Sequence, residues 1–130
     1  LPMRNYFEND YASYRFLDDG ILHIVYHEGV YIDLDAAIQV VQDRLLLQEG
    51  QVFPVLCDIR GIKIINKPAR AYVAMEGSTL IKAVAVIVEP PVSEMLSELY
   101  IRTSTPPIPT QSFEHIKEAL LFLNEFKTVI

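Results

Sequence analysis

Lys82-Ala83-Val84-Ala85-Val86-Ile87-Val88 is the stretch that decides the fold. After the lysine, apolar residues occupy both parities, the mark of a strand buried on both faces and usually central in a parallel sheet. Its apolar core, Ala83 to Val88, is the longest such run in the chain, far short of the about 20 residues a membrane helix needs. Parallel strands require connections of helical length, and helical patterns flank this one on both sides. Upstream, Pro68 suits a first helical turn and Gly77 an exit, which predicts helix two over Pro68 to Glu76. Downstream, Val92, Met95, Leu96, Leu99 and Tyr100 follow Pro90-Pro91 at helical spacing and predict helix three.

Further from this strand, Tyr11 to Asp18 and Ile21 to His27 are aromatic and apolar runs separated by Asp19-Gly20, a strong hairpin signal. Helix one carries Leu34, Ala37, Ile38, Val41 and Leu45 after an Asp33 cap and closes at Gly50. Val52 to Asp58 is a third strand, with Pro54 at an outward position or a bulge. Arg60 to Lys67 is expected as a loop, and Thr105-Pro106-Pro107-Ile108-Pro109 as a loop or short edge strand. A Ser112 cap opens helix four, with Phe113, Ile116, Leu120 and Leu123 on its apolar face. The expected architecture is a single α/β domain over residues 1–130. A leading β-hairpin is followed by alternating helices and strands, giving a mixed four- to five-stranded sheet with about four helices.

Composition agrees. The chain has 130 residues, 51% hydrophobic and 22% charged, enough for one core without disulfides or a structural metal. A lone cysteine, Cys57, fits a reducing compartment, with the cytoplasm as the default. No apolar secretory core follows Leu1-Pro2-Met3-Arg4-Asn5, so no signal peptide is expected, although a chain beginning with Leu1 suggests an earlier start or processing. The net charge of −6 opposes the counterion release that nucleic-acid binding exploits. Residues 1–59 hold ten acids against three bases, and residues 76–130 seven against four. Between them lie four cations and no acid: Arg60, Lys63, Lys67 and Arg70.

Catalytic constellations are weak. His23 and His27 are four residues apart on one strand, roughly 13 Å, too far to share a metal. His115 falls in the first turn of the last helix and is expected to be solvated. Cys57 reads as an inert small hydrophobe in a buried strand. Asp18, Asp19, Asp33 and Asp35 each have a turn or cap to make, which accounts for them without acid–base chemistry. No phosphate loop, nucleophile elbow or metal spacing is present. The expectation is a non-enzymatic protein without a cofactor, an unrecognised hydrolase standing third among the readings.

Asp58-Ile59-Arg60-Gly61-Ile62-Lys63-Ile64-Ile65-Asn66-Lys67-Pro68-Ala69 leads from a strand end to a helix N-terminus, where open α/β sheets bind ligands. The element order and these residues resemble the STAS domain, the family of anti-sigma factor antagonists and sulfate-transporter cytoplasmic domains. Asp58, Ile59 and Gly61 match its Asp-Leu-Ser-Gly-like strand end, and Ile64-Ile65 its apolar pair. Asn66, Lys67, Pro68 and Ala69 stand where the family has Asp-Ser-Ser-Gly. The phosphorylatable serine of the antagonists therefore has no counterpart, and a kinase-driven switch does not carry over. Pro109, Phe113, Ala119 and Leu123 also resemble the tail of divergent bacterial STAS-like and Sec14-like small proteins.

The resemblance implies a regulatory or protein-interaction module. The alternative is a carrier of a small molecule or lipid headgroup, which an apolar pocket beneath Arg60 to Lys67 would favour over a flat surface. Asp58, Arg60, Lys63, Asn66, Lys67 and Arg70 are the candidate site, receiving a small anionic ligand or an acidic protein partner. Membrane insertion and nucleic acid are not expected. Tyr11, Tyr14, Phe16, Tyr26 and Tyr31 exceed what a small core readily covers and suggest a homodimer through the hairpin or the adjacent sheet face.

Overall fold

The computed structural model describes residues 5–127. Its strands are β1 Tyr6–Glu8, β2 Ala12–Phe16, β3 Leu22–Tyr26, β4 Val30–Ile32, β5 Phe53–Asp58, β6 Ile62–Ile65, β7 Ile81–Ile87 and β8 Thr110–Phe113. The helices are α1 Leu34–Gln48, α2 Lys67–Met75, α3 Val92–Ser104 and α4 Ile116–Asn124, with a 3₁₀ turn at Glu76–Ser78. Six strands form one sheet in the order β1-β2-β3-β5-β7-β8, and β4 pairs with β6 in a separate ribbon. The first three strands are antiparallel, and β3, β5, β7 and β8 run parallel. The α/β class and the hairpin are as expected, but the sheet has six strands rather than four or five.

Strand order explains the layering. Every crossover from β3 to β8 steps in one direction, and right-handed crossovers then place their helices on one face. Helices α1, α2 and α3 cover that face, where Tyr14, Leu22, Ile24 and Val55 point. The opposite face of β5 and β7, with Leu56, Ala83, Ala85 and Ile87, is closed by Ala119 and Leu123 of α4. None of the helices among the described residues is long and apolar enough to cross a membrane.

Several expected boundaries shift for local reasons. Pro54 lies at the register irregularity between Phe53 and Val55, as the missing donor requires. Residues 62–65, expected in a loop, form β6 because β4 offers them a parallel partner. Asn66, rather than the helical position of Pro68, sets the start of α2: its Oδ1 accepts the Ala69 N–H at 3.0 Å. Ser112 caps nothing. It sits in β8, bonded to Ser97 of α3, while His115 occupies the N-cap of α4 without a side-chain bond. Phe113 therefore ends a strand, and its ring meets Phe122 of α4 at 5.5 Å.

The premise of the dimer also changes. Tyr14 and Tyr26 are buried and Tyr11 and Phe16 half-buried; of the five aromatics only Tyr31 is exposed. The hairpin thus spends its aromatics on its own core.

Candidate functional site

Asp58 ends β5 with its carboxylate almost wholly buried. It accepts from the Arg60 backbone N–H at 3.1 Å, from Arg60 Nε at 3.0 Å and from Arg60 Nη2 at 2.7 Å. That hydrogen bonding raises the Arg60 pKa above its ordinary value. Gly61 follows, its carbonyl accepting Gly29 N–H at 2.8 Å and Val30 N–H at 3.3 Å, and so ties this segment to the β3–β4 connection. Ile62 of β6 turns inward, whereas Lys63 and Ile64 are exposed. Arg70 reaches back from α2 to donate to the Ile65 carbonyl at 2.7 Å.

The six candidate residues therefore lie along one continuous segment without converging on a shared cradle. Asp58 and Arg60 satisfy one another, Asn66 takes up the Ala69 donor that an anion would have used, and Arg70 is committed to Ile65. Lys63 and Lys67 remain as exposed cations on this segment. Across the ribbon from Ile64 stands exposed Tyr31, whose hydroxyl accepts from Asn66 Nδ2 at 3.5 Å.

Beneath this segment lies a cavity of about 110 Å³ between the sheet and α1–α3. Ile24, Val55, Val84 and Val86 form its floor, and Ile59, Ile62 and Ile65 come from the segment above. Its origin is legible in α3. The fully buried residues of that helix are Ser93 and Ser97, while Val92 and Met95, expected on its inner face, are exposed. Ser93 bonds Glu89 and Ser97 bonds Ser112, so hydroxyls orient the helix and only Leu96 and Tyr100 carry bulk inward. A helix contributing so little volume leaves space behind it.

Polar groups enter the cavity wall at few points: Arg44, Tyr26, Cys57, Ser97 and Tyr100 among them. Burial raises the pKa of Tyr26 and Tyr100 and pushes the Cys57 thiol up to about 12. Cys57 is therefore a protonated thiol facing apolar space, as a structural cysteine should be. It has no histidine partner across the sheet. Cys57 pairs in register with Ile24, so the neighbouring His23 points to the opposite face. There His23 Nε2 is buried without a hydrogen bond, and burial lowers its pKa below 6.5.

Arg44 was not distinguishable in the apolar stripe read along helix one, and the stripe itself is rotated. Its buried positions are Ala36, Ala37, Val40, Val41, Arg44 and Gln48, whereas Leu34 is exposed and Ile38 and Leu45 are half-buried. The cause lies opposite. Carbonyls of Gly77, Thr79 and Leu80 leave the turn before β7 and require donors, which Arg44 and Gln48 supply. The signal available in the sequence is that Arg44 stands three and four residues after Val41 and Val40, on their face.

Residues 15–127 match the model of a family described as a domain of unknown function, DUF7793. The chain belongs to that family. No curated protein matches it. Among solved structures, this DUF7793 domain is similar to the crystal structure of an uncharacterized protein of the DUF3478 family with a SpoIIAA-like fold, from Shewanella loihica PV-4. The two share 15% identity at a TM-score of 0.63, over 90% of this chain and 98% of the other. At that identity the likeness concerns the fold alone, and it supports the STAS-like architecture.

Proposed function

We propose that this DUF7793 domain is a non-enzymatic binding module that holds a small, largely apolar molecule between its sheet and the α1–α3 layer. The observation that carries this reading is the apolar cavity under Ile59, Ile62 and Ile65, where a ligand-free interaction module would have a packed core. Its size limits the occupant. A cavity of about 150 Å³ takes up benzene, so 110 Å³ limits the occupant to one small ring or a short branched chain at most and excludes a complete lipid. Titration with toluene, read on isoleucine and valine methyl signals, tests it. Shifts confined to the cavity-lining methyls, Ile59, Ile62 and Val84 among them, and abolished by Val84→Phe are expected in the wild type. Toluene that moves none of these methyls removes the reading.

A second reading, the protein-interaction module, draws on the outer face of the same segment. Tyr31 and Ile64 lie exposed on neighbouring strands, with Lys63 and Lys67 at hand. An acidic partner docking there would shift backbone amides from Gly61 to Ala71, and Lys63→Glu/Lys67→Glu would abolish the shift. An acidic peptide and inorganic phosphate that both leave these amides unmoved would dispose of that reading, and with it the role of the Asp58 to Arg70 segment as an anion site.

A further inference from the structure

We infer that the molecule held in this cavity is a small monocarboxylic acid, its carboxylate received by Arg44 and its ring or short branched chain lying among the isoleucines and valines. The inference rests on the cavity reading and adds the chemical class of the ligand. Arg44 is 3% exposed and lines the cavity. Its Nη1 donates to Gln48 Oε1 and to the Thr79 carbonyl at 3.0 Å, and its Nη2 to the Gly77 carbonyl at 3.0 Å. All three acceptors are neutral. No carboxylate among the described residues forms an ion pair with this guanidinium. Carbonyl oxygens solvate a buried cation, but they leave its charge uncompensated, which is costly in an apolar interior.

The guanidinium is also prepared for a ligand. Three of its five N–H donors are used by the protein and two remain. Gln48, which helps to hold it, is itself fixed by Nε2 donating to the Gln51 carbonyl at 2.8 Å and the Leu80 carbonyl at 2.9 Å. The fork is thus rigid before anything binds, so little ordering remains to be done on binding. Tyr26 and Tyr100 line the same cavity, and neither hydroxyl has a hydrogen bond among the described residues. Burial keeps both protonated, hence available as donors.

Charge and size choose among anions. One buried cation balances a monoanion, whereas a phosphate dianion would bring a second, uncompensated charge into an apolar wall. A planar carboxylate also matches the guanidinium fork. Beyond it the cavity admits nothing larger than one small ring or a short branched chain.

The test compares phenylacetate, 2-phenylethanol, toluene and phenylphosphonate by methyl shifts, with the Arg44 Nε–Hε signal followed in the wild-type protein. Phenylacetate should bind at least ten-fold more tightly than 2-phenylethanol, keep that preference in 0.5 M NaCl, and alone move the Arg44 signal strongly. Tyr100→Phe should reduce the preference, and Arg44→Met should abolish it. If Arg44→Met does not fold, the wild-type Arg44 signal and Tyr100→Phe decide. Neutral probes that bind as well as phenylacetate, or an Arg44 signal indifferent to it, would overturn the carboxylate assignment and leave the cavity reading standing. Silence from all four probes would overturn both.

Discussion

Gly61→Ala should destabilise the fold by about 2–4 kcal/mol. A Cβ at Gly61 would lie 2.6 Å from the Tyr26 carbonyl oxygen, 2.6 Å from the His27 carbonyl oxygen and 2.8 Å from the His27 carbonyl carbon. These are backbone atoms at the end of β3, so no rotamer change relieves the clash. Relief requires the β5–β6 connection to move away from the β3–β4 connection, which weakens the two bonds that the Gly61 carbonyl accepts from Gly29 and Val30. Overpacking costs roughly 1–3 kcal/mol, and each weakened bond about 0.5–1.5 kcal/mol. The restriction that alanine places on the unfolded chain returns about 0.4–1 kcal/mol. Urea denaturation followed by circular dichroism would show this as a midpoint lowered by about 1–2 M. The control is Gly29→Ala, where a Cβ meets nothing within 4 Å but φ is +78°, so only the roughly 1–2 kcal/mol of left-handed strain applies. A Gly61→Ala midpoint within about 0.3 M of wild type would refute the crowding argument, because the atoms named leave no cheaper way to accommodate the methyl.

Other consequences follow from the same structure. Cys57 should react with iodoacetamide far more slowly in the folded protein than in urea, since its pKa is pushed up to about 12 by burial. Because the folded-state pKa exceeds the reference of 9.0, the thiol's contribution is complete below pH 9 and is lost as pH rises toward 12. Over that window Cys57→Ala should flatten the fall in stability by up to about 1.4 kcal/mol per pH unit. His23 has the opposite sign: its pKa is lowered, so its contribution is present above pH 6.5 and lost as pH falls through the folded value. An imidazole carbon shift for His23 that titrates at or above 6.5 would contradict its burial. Glu49 closes α1 in the left-handed region at φ 49°, exposed to solvent, so Glu49→Gly should raise stability by roughly 0.5 kcal/mol in the same urea assay.

The fold was legible wherever a local pattern and its tertiary role coincide. Asp19-Gly20 turns the hairpin because positive φ is needed there, and Gly20 takes it at +83°. Asp33 caps α1 because a carboxylate immediately before the periodic residues is well placed for the free Ala36 N–H, which it accepts at 2.9 Å. The apolar run of β7 is interior, between β5 and β8, because it has apolar residues for both faces of the sheet. Legibility ends where one element depends on a distant one. Ile62–Ile65 is too short to stand as a strand without Val30–Ile32 beside it, and its partners lie 32 or 33 positions upstream. Ser112 looks like a helix cap because serine usually caps, yet its partner here is Ser97 of the preceding helix.

The candidate site shows the same limit with more consequence. Charge counting along the chain brought forward Arg60, Lys63, Lys67 and Arg70, since four cations without an acid stand out in an acidic protein. Counting cannot see that Asp58 folds back on Arg60, or that Arg70 is held by the Ile65 carbonyl. Nor can it see Arg44, which lies in a stretch whose acids outnumber its bases but whose neighbours in space are carbonyls, tyrosines and a thiol. In an exposed loop, surplus charge is stabilised by water whether or not a ligand exists, so its presence carries little information. A guanidinium inside an apolar wall has no such alternative. What compensates it must come from the protein or from a ligand, and for Arg44 the protein supplies only neutral oxygens. For that reason a single arginine without a carboxylate partner argues more strongly for an anion than four cations on the surface, and the function proposed above is placed in the cavity rather than on the basic segment that roofs it.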